Sequence, residues 1–257
     1  MSLINRRFLT SLAHRRVVRQ WAGLARAAGQ TGLNRLRQQR NSARELRFHL
    51  DTLIHTADNR LALPPIGNTA FRRPYGSDWD WRPELWRGPL PVPGMSSVQN
   101  GSRLGDEATL FHDCRFSELT LRQLRNHRES DLAPYGLRMD VFRFDGSFLS
   151  LVVDLPPDAV AGLQKRHLIR LDTIVEMEKP LEIFARLNIR HGPNTETLVR
   201  ELPLHESDVM VEFDLAYSNL NEKRIEKAWV DLIFEGPEMN QVTIRDLTFS
   251  RRPRAEL

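Results

Sequence analysis

Apolar and polar residues alternate with a period of two along much of the chain after residue 107. Between residues 181 and 190, every second residue is Leu, Ile or Ala, and the positions between them include Arg186, Asn188 and Arg190. A period of two is typical of a strand with one buried and one mixed face. Similar patterns predict further strands at residues 137–144, 147–154, 168–176, 197–202, 209–217, 228–234 and 241–249. Strands this closely spaced, separated by Pro, Gly and Asn, predict an antiparallel sandwich.

Local signals add turns and a helix to this predicted body. Asp145-Gly146 lies between two predicted strands and is typical of a type I′ hairpin turn, which needs positive φ at both central residues. Residues 117–126 are predicted as a helix and residues 158–165 as a short helical turn. Helices are therefore expected to be scarce after residue 107.

Residues 61–106 are predicted to connect this body to the start of the chain. Seven of the fifteen prolines fall between Pro64 and Pro93, so neither a helix nor a central strand is expected to persist there. The segment also carries Trp79, Trp81 and Trp86. We expect it to be extended, to pack on the body and to bury at least two indoles, with an aromatic strip for sugars, bases or a partner chain as the alternative.

The first fifty residues carry a positive charge that the rest of the chain does not share. They contain eleven arginines, no lysine and one acid, Glu45, whereas the formal net charge of all 257 residues is +4. The remainder is acidic, and a split of this kind indicates an anionic partner for the basic segment. An anionic membrane surface, a nucleic acid and an acidic protein all meet this requirement.

The basic segment, residues 1–60, is predicted to form a helical arm. Spacings of three and four residues place an apolar face on Val17, Trp21, Leu24 and Ala28. The opposite face carries the predicted anionic-surface contacts, Arg15, Arg16, Arg19 and Arg26. This layout is typical of an interfacial helix. Gly29 and Gly32 then interrupt the pattern, and a second apolar repeat from Leu36 to Ala57 favours a helical hairpin or docking helix over a long coiled coil.

The start of the chain has some features of targeting signals. Arg6-Arg7 followed by Phe8 is similar to a twin-arginine export signal, but the spacing differs by one residue and later arginines interrupt the apolar region. An arginine-rich start also fits a mitochondrial presequence, which stays open. Cys114 is the only cysteine, and no apolar run reaches the roughly 18 residues of a membrane span. We expect a cytoplasmic protein, with peripheral membrane attachment as an option.

Motifs for catalysis, metals and cofactors are weak in this sequence. His112-Asp113-Cys114 places an imidazole two residues from a thiol, and we interpret Cys114 as buried packing rather than as a nucleophile. No two histidines have metal-ligand spacing, and no phosphate loop or dinucleotide fingerprint is present. Carboxylates are plentiful, but none stands out as an acid–base pair. We therefore expect a non-catalytic protein with neither metal nor cofactor.

The polar side of the predicted sheet carries the most informative residues. The candidate ligand-binding residues are Arg186, Asn188, Arg190 and Trp229. Sugar recognition uses planar side chains that hydrogen-bond hydroxyl pairs and a flat ring for stacking, and this set contains both. Neighbouring strands are expected to add Glu212 and Asp214. The alternative is a cross-strand lattice of arginine–carboxylate pairs, with Trp229 in the core.

The end of the chain resembles a known fold. Residues 241–251 follow the strand at residues 228–234 and a Glu235-Gly-Pro turn, and they loosely match the pattern apolar-x-apolar-x-Asp-apolar-x-apolar. The matching residues are Val242, Ile244, Asp246, Leu247 and Phe249. Residues 135–252 thus resemble the galactose-binding-like jelly rolls of many carbohydrate-binding modules. The whole chain also resembles an uncharacterised alphaproteobacterial family of unknown function. The resemblance implies a jelly-roll fold and weakly favours carbohydrate binding.

These features predict a mainly β protein with three parts. A basic helical arm (1–60) is followed by a Pro/Trp-rich connector packed on the body (61–106) and a jelly-roll sandwich (107–257). The first functional hypothesis is a non-catalytic binding or accessory protein. Its sandwich recognises a glycan or a protein surface, and its arm docks to an anionic surface. The alternatives are a structural subunit of a larger assembly and a carbohydrate-active enzyme. The oligomeric state stays open.

Overall fold

The computed structural model describes residues 3–61, 66–116, 118–128, 130–204 and 208–254. The chain divides into two compact units at residue 61.

The first unit is helical. It consists of α1 (Leu3–Ala27) and α2 (Leu33–Leu61), with a 3-10 turn at Ala28–Gln30 between them. The break falls at the two glycines that interrupt the apolar pattern, because glycine is a poor helix former. None of the side chains described between residues 14 and 50 is fully buried. Among the helices of the described residues, none is long and apolar enough to cross a bilayer.

The second unit is mainly β. Over its described residues it contains thirteen strands and two one-turn helices, α3 (Glu84–Arg87) and α4 (Pro157–Val160). The strands are β1 (Trp79–Trp81), β2 (Gly94–Ser96), β3 (Ser102–Leu104), β4 (Ala108–His112), β5 (Glu118–Arg125), β6 (Tyr135–Arg143), β7 (Leu149–Asp154), β8 (His167–Met177), β9 (Ile183–His191), β10 (Asn194–Glu201), β11 (Asp208–Asp214), β12 (Ile225–Phe234) and β13 (Asn240–Pro253).

These strands form two antiparallel sheets packed face to face. Sheet I has the order β11-β8-β13-β6-β5-β2, with β1 beside β13, and sheet II has the order β10-β9-β12-β7-β4-β3. The chain crosses repeatedly between the sheets, since β6 and β8 lie in sheet I whereas β7 and β9 lie in sheet II. The predicted fold class, a mainly β antiparallel jelly-roll sandwich, is confirmed.

The core lies between the two sheets. Leu187 of β9 and Val230 of β12 fill it from sheet II, and Phe213 of β11 and Phe249 of β13 fill it from sheet I; all four are 0 % exposed. Each comes from the apolar set of an alternating stretch, so the period of two directs one face of each strand inward. The other face of each sheet is left to carry polar side chains.

The predicted helix at residues 117–126 is wrong. Residues 118–125 form β5, in which Leu119, Leu121 and Gln123 are buried and Glu118 and Arg122 are exposed. Pairing with β6 along its whole length stabilises the strand, and this long-range pairing outweighs the local helix preference of its leucines, glutamate and arginines.

The predicted hairpin at Asp145-Gly146 is also wrong. The strands on either side lie in different sheets, because β6 pairs with β5 and β13 whereas β7 pairs with β4 and β12. Glycine is needed here for close packing, since a Cβ at Gly146 would lie 2.5 Å from Asp113 Oδ1 and 3.0 Å from Cys114 N. The dipeptide therefore marks a crossover between the sheets.

The tryptophans of the connector pack against the body to different extents. Trp86 is 0 % exposed, and its Nε1 donates a hydrogen bond to the Ile244 carbonyl oxygen at 3.0 Å. Trp79 and Trp81 are half-buried, and the Trp81 ring stacks on Phe249 with centroids 5.9 Å apart. Of the three indoles, one is thus fully buried, where at least two were predicted.

A buried ion pair holds the connector on sheet I. Arg82, 1 % exposed, donates to Asp246 Oδ1 from Nε at 2.9 Å and to Asp246 Oδ2 from Nη2 at 2.7 Å. The same guanidinium donates to the carbonyl oxygens of Asn68 and Ala70 at 2.9 and 3.2 Å. Burial raises the pKa of the Asp246 carboxyl, and the hydrogen bonds and charge of Arg82 oppose this. The aspartate of the resembling motif thus has a structural role.

Candidate functional site

One face of sheet II points away from the core and combines polar with aromatic side chains. Side chains alternate along a strand, so even-numbered residues of β9 and odd-numbered residues of β12 share this face. In the strand register, Asp231 lies opposite Arg186 on one side and Val152 on the other. We call this surface the sheet II face, and it includes Phe111, Ser150, Val152, Arg186, Asn188, Arg190, Trp229, Asp231 and Ile233.

Asp231 lies at the centre of this face and is only 3 % exposed. Arg186 Nε donates to Asp231 Oδ2 at 2.7 Å, and Asn188 Nδ2 donates to the same oxygen at 3.2 Å. The ion pair also places Arg186 Nη2 2.5 Å from Asp231 Oδ2. The other oxygen, Oδ1, is buried and has no hydrogen-bond partner in the described part of the chain. A buried acceptor without a partner costs about 1–3 kcal/mol. Such an atom has hydrogen-bonding capacity that the described residues leave unused.

Ser150, on the neighbouring strand β7, has the same property. It is 5 % exposed, and its Oγ is buried without a hydrogen-bond partner among the described residues. Ser150 lies opposite Ile233, two residues along β12 from Asp231. Two unsatisfied polar atoms, an acceptor and a hydroxyl, thus come from adjacent strands.

Both atoms belong to residues that line one surface cavity of about 460 Å³, which we call the sheet II cavity. Its aromatic side is formed by Phe111 and Phe148, which are 38 % and 42 % exposed. Its volume lies within the roughly 300–1,000 Å³ of small-molecule sites. The complete lining is Asn100, Phe111, Phe148, Ser150, Val152, Arg186, Asp231 and Ile233.

The four predicted ligand-binding residues all lie on the sheet II face. Arg186 lines the cavity, whereas Asn188 is 5 % exposed and donates a hydrogen bond to Asp231. Trp229 lies opposite Asn188 in the register and is half-buried outside the core, so it does not take the alternative core position. Arg186, Asn188 and Trp229 are therefore neighbours on this face.

Trp229 and Arg190 each contact a charged side chain of β12. Lys227 Nζ lies 4.9 Å from the centroid of the Trp229 ring, which is a cation–π contact. Arg190 Nε lies 3.1 Å from a carboxylate oxygen of Glu226, and both side chains are about half exposed. Neither Trp229 nor Arg190 lines the sheet II cavity. They extend the face beyond it.

The expected contribution of Glu212 and Asp214 to this face is wrong. Both lie on β11, which pairs with β8 at the edge of sheet I. The chain leaves sheet II after the β9–β10 hairpin and crosses over, so nearness in sequence does not place them beside Arg186. Glu212 instead accepts hydrogen bonds from Arg252 in its own sheet.

Sequence reasoning missed Ser150, Phe111 and Phe148 and gave Asp231 no separate role. A signal for Ser150 was present, because it interrupts the aliphatic run of Leu149 and Leu151 at an outward position. Phe111 and Phe148 gave no comparable signal, since β4 was not predicted and Phe148 precedes β7. Their meeting depends on the strand order, which the pattern does not contain.

The His112-Asp113-Cys114 segment has a structural role. His112 Nδ1 accepts the Cys114 backbone N–H at 3.1 Å, which leaves its Nε2 to donate to the Val98 carbonyl at 2.8 Å. Hydrogen bonds from Ser147 lower the pKa of the Asp113 carboxyl, and burial raises the pKa of the Cys114 thiol. The raised pKa disfavours the reactive thiolate form, but Cys114 is partly exposed rather than buried as predicted. No group of three or more His, Cys, Asp or Glu residues suited to a metal occurs in the described residues.

The four arginines predicted to contact an anionic surface lie on α1. Arg15, Arg16, Arg19 and Arg26 are all exposed. Trp21 and Leu24, on the predicted apolar face, are half-buried, whereas Val17 is 47 % exposed. The helix therefore presents both charged and apolar side chains to its surroundings.

The chain matches a family model and is similar to several solved structures. The model of a family of unknown function, DUF6478, matches residues 1–257. No curated protein matches the chain.

Solved structures similar to the chain share little sequence with it. One is the enzymatically active domain of bacteriophage CBA120 tailspike protein 4, with 9 % identity and a TM-score of 0.40 over 60 % of this chain and 21 % of that one. Another is a family 11 carbohydrate-binding module from Clostridium thermocellum in complex with a β-1,3-1,4-mixed-linked tetrasaccharide, with 11 % identity and a TM-score of 0.39 over 65 % of this chain and 99 % of that one. A third is a putative sugar binding protein from Bacteroides thetaiotaomicron, with 12 % identity and a TM-score of 0.38 over 63 % of this chain and 96 % of that one.

Proposed function

The chain belongs to DUF6478, a family of unknown function, and we propose that its jelly-roll body is a non-catalytic module that binds a neutral glycan on the sheet II face. The observation that carries this proposal is that Asp231 Oδ1 and Ser150 Oγ, two buried atoms without a hydrogen-bond partner among the described residues, belong to side chains that line one cavity. A sugar hydroxyl is at once a donor and an acceptor, so adjacent hydroxyls of one ring satisfy both atoms.

The aromatic side of the cavity supports the same class of ligand. Phe111 and Phe148 expose ring surface next to the polar groups, and Trp229 offers a further half-buried ring on the same face. Pyranose rings have apolar C–H faces beside polar edges, so an aromatic surface beside hydrogen-bonding groups is complementary to them. A concave site of this kind favours a glycan over a flat protein surface, which remains the alternative ligand.

The charge of the cavity favours a neutral glycan over an acidic one. Asp231 and Arg186 are the charged residues of the lining, and their side chains pair with each other. An added carboxylate or sulfate would lie beside Asp231 Oδ1 without a free cation of the lining to balance it. Unsubstituted hydroxyls meet no such repulsion.

The same lining supports a binding role over glycoside hydrolysis. Acid–base hydrolysis of a glycosidic bond uses two carboxyl groups on opposite sides of the bond, roughly 5–10 Å apart. The lining of the sheet II cavity contributes one carboxylate, Asp231, and Arg186 and Asn188 hold it as an ion pair. A carbohydrate-active enzyme is therefore the weaker interpretation of this site.

The proposal is tested by titration of neutral and acidic oligosaccharides into the full chain. A suitable panel contains a mixed-linked β-1,3-1,4-glucan tetrasaccharide, xylohexaose, β-1,4-galactotriose and an oligogalacturonate as the acidic member. We expect at least one neutral oligosaccharide to bind and the acidic one not to bind. In the Asp231→Asn variant, affinity is expected to fall about tenfold or more, the scale of losing a hydrogen bond to a charged group. Isothermal titration calorimetry measures both.

The matched control is Asp140→Asn on sheet I. Asp140 is also paired with an arginine, but Arg138 Nε donates to its Oδ1 at 2.8 Å and Thr120 Oγ1 to its Oδ2 at 3.0 Å, so both of its oxygens are satisfied, and it lies in the other sheet. The control variant is expected to keep wild-type affinity. Ser150→Ala serves as a second site variant, and thermal melts establish that each protein is folded. Equal affinities for Asp231→Asn, Ser150→Ala and Asp140→Asn, or no binding to any neutral glycan, would contradict the proposed glycan site.

We further propose that the arm attaches the protein to an anionic membrane surface. The exposed arginines of α1 supply the charge, and exposed apolar side chains of the arm, among them Val18, Phe48 and Leu53, are suited to a bilayer interface rather than to a nucleic acid. Each arginine near an anionic bilayer contributes about 1 kcal/mol.

Flotation with vesicles tests the role of the arm. We expect the full chain to float with phosphatidylserine–phosphatidylcholine vesicles at low salt, and to lose most of that binding at high salt and when Arg15, Arg16, Arg19 and Arg26 are replaced by glutamine. The matched control replaces four arginines of the body, Arg103, Arg122, Arg143 and Arg166, in the same way. Equal recovery of both variants would contradict the proposal, and tighter binding to duplex DNA than to vesicles would assign the arm to nucleic acid instead.

A further inference from the structure

A second cavity lies on the outer face of sheet I, where the connector passes over it. The cavity has a volume of about 340 Å³. Residues of β8, β11 and β13 form its floor, and Phe71 and Arg72 of the connector form one wall. We propose that this cavity, which we call the sheet I cavity, is a second saccharide-binding site, separate from the sheet II face.

The floor of the cavity contains an unused hydroxyl. Thr248 is 3 % exposed, lines the cavity and lies opposite Asp172 in the β13–β8 register. Its side chain makes no hydrogen bond to any residue that the structure describes, in contrast to Thr173, whose Oγ1 donates to the Asp246 carbonyl at 2.9 Å. A hydroxyl on a cavity floor that has no partner among the described residues has both its donor and its acceptor capacity left for a ligand.

Charged side chains around Thr248 are arranged as pairs, so the cavity has little net attraction for an ion. Arg170 Nε donates to Asp172 Oδ2 at 2.7 Å, and Arg82 Nε donates to Asp246 Oδ1 at 2.9 Å. Only the pair at the mouth is loose, because Arg72 Nη1 lies 3.6 Å from Asp208 Oδ2 and both side chains are mostly exposed. Arg72 and Asp208 are therefore an exposed, weakly held ion pair at the entrance, with further donor and acceptor capacity on both side chains.

An apolar rim completes the site. Leu132 and Met210 line the cavity and are 38 % and 43 % exposed, and the Phe71 ring lies on the connector side, with the Arg82 guanidinium 5.2 Å from its centroid. Apolar surface at the rim with paired donors and acceptors below is suited to a neutral, polyhydroxylated ring. The volume is near the lower end of the roughly 300–1,000 Å³ of small-molecule sites, so it fits one or two sugar rings rather than a long chain.

The positions of the two cavities give the module a property that neither has alone. Thr248 and Asp231 lie on the outer faces of opposite sheets, with the core between them. A single short glycan does not reach both faces, so a protein with both sites occupied holds two chains, or two parts of a long chain, together. This cross-linking role rests on the proposed function of the sheet II face, whereas binding in the sheet I cavity does not.

Methyl NMR of the full chain, labelled at its methionines, reads out the sheet I cavity directly. Met210 lines this cavity, whereas Met95 and Met239 lie elsewhere on the body. Titration with the methyl β-glycosides of glucose, galactose and xylose is expected to shift the Met210 methyl signal in a saturable way and to leave the Met95 and Met239 signals unchanged. The Asp231→Asn variant is expected to give the same Met210 response as the wild type.

The test variant is Thr248→Val, which removes the hydroxyl and keeps the β-branched shape. Its apparent affinity at Met210 is expected to be about fivefold weaker, the scale of losing one neutral hydrogen bond. Thr243→Val is the matched control, since Thr243 is also buried on β13 but does not line the cavity. No Met210 shift with any of the three glycosides overturns the inference, as does an equal loss in both threonine variants. A Met210 response that disappears in Asp231→Asn also overturns it, because the two sites would then not be separate.

Discussion

Replacing Arg82 by methionine is expected to lower the free energy of unfolding by about 3–5 kcal/mol, because the change leaves the Asp246 carboxylate buried without its partner. Arg82 is 1 % exposed and donates four hydrogen bonds, two to Asp246 and two to carbonyl oxygens of the connector. The variant therefore loses the ion pair and the anchor of the connector together. Urea denaturation followed by tryptophan fluorescence measures the loss.

The pH dependence of this loss identifies its cause. Burial raises the pKa of the Asp246 carboxyl, and without Arg82 only the hydrogen bond from the Leu247 backbone N–H opposes that rise. A raised carboxyl pKa favours the protonated form in the folded protein. The penalty is therefore largest at neutral pH and shrinks as the pH falls towards the unfolded value of about 3.9. Arg138→Met, which breaks the partly exposed pair with Asp140, is the control and is expected to cost about 1 kcal/mol or less. Equal losses in the two variants, or a loss independent of pH, would contradict the assigned role of the buried pair.

Alternation along the chain was enough to predict the sandwich and most of its strands. In β9 and β12 the apolar residues at every second position are the ones that fill the core, so the period determined which face of each strand is buried. Burial on one face is a local property of a strand, and a local pattern records it. The same holds for the break between α1 and α2, which falls at the glycines.

Pairing between distant segments explains where the sequence was misread. The leucines of residues 118–125 fit either period, and pairing with β6 and β2 decides for a strand. Asp145-Gly146 has the composition of a hairpin turn, but its flanking strands find their partners at β13 and β12, about a hundred residues and about eighty residues further on. A turn signal gives the local conformation and does not give the sheet to which each strand belongs.

The candidate site was predictable to the same extent and for the same reason. Arg186, Asn188, Arg190 and Trp229 share a face because each lies at the outward phase of its own strand. The contact that matters most, Arg186 with Asp231, joins residues 45 positions apart, and its existence depends on the β9–β12 register. Ser150 and Phe111 enter the cavity because β7 and β4 follow next in the sheet, and no period in the sequence contains that order.

Replacing Trp86 by alanine is expected to cost about 3–5 kcal/mol of unfolding free energy, the range for deleting a fully buried aromatic side chain. Trp86 is 0 % exposed, and its indole N–H satisfies the Ile244 carbonyl oxygen on β13. The variant leaves a cavity under α3 and an unpartnered acceptor in the middle of sheet I. Because α3 belongs to the connector, we also expect faster proteolysis within residues 66–104 of the variant under native conditions. Thermal or urea denaturation and limited proteolysis of the full chain measure the two effects.

A second substitution at the same position separates packing from hydrogen bonding. Trp86→Phe keeps most of the apolar volume but removes the N–H, so its cost is expected to be smaller, about 1–3 kcal/mol for an unsatisfied buried acceptor. Trp79→Ala is the matched control within the same segment, since Trp79 is half-buried and gives up less contact with the core. If Trp79→Ala and Trp86→Ala were equally stable, or if both matched the wild type, the connector would contribute nothing to the stability of the body. The expected order, with Trp86→Ala least stable and Trp79→Ala most stable of the three variants, would instead make residues 66–104 part of the folding unit.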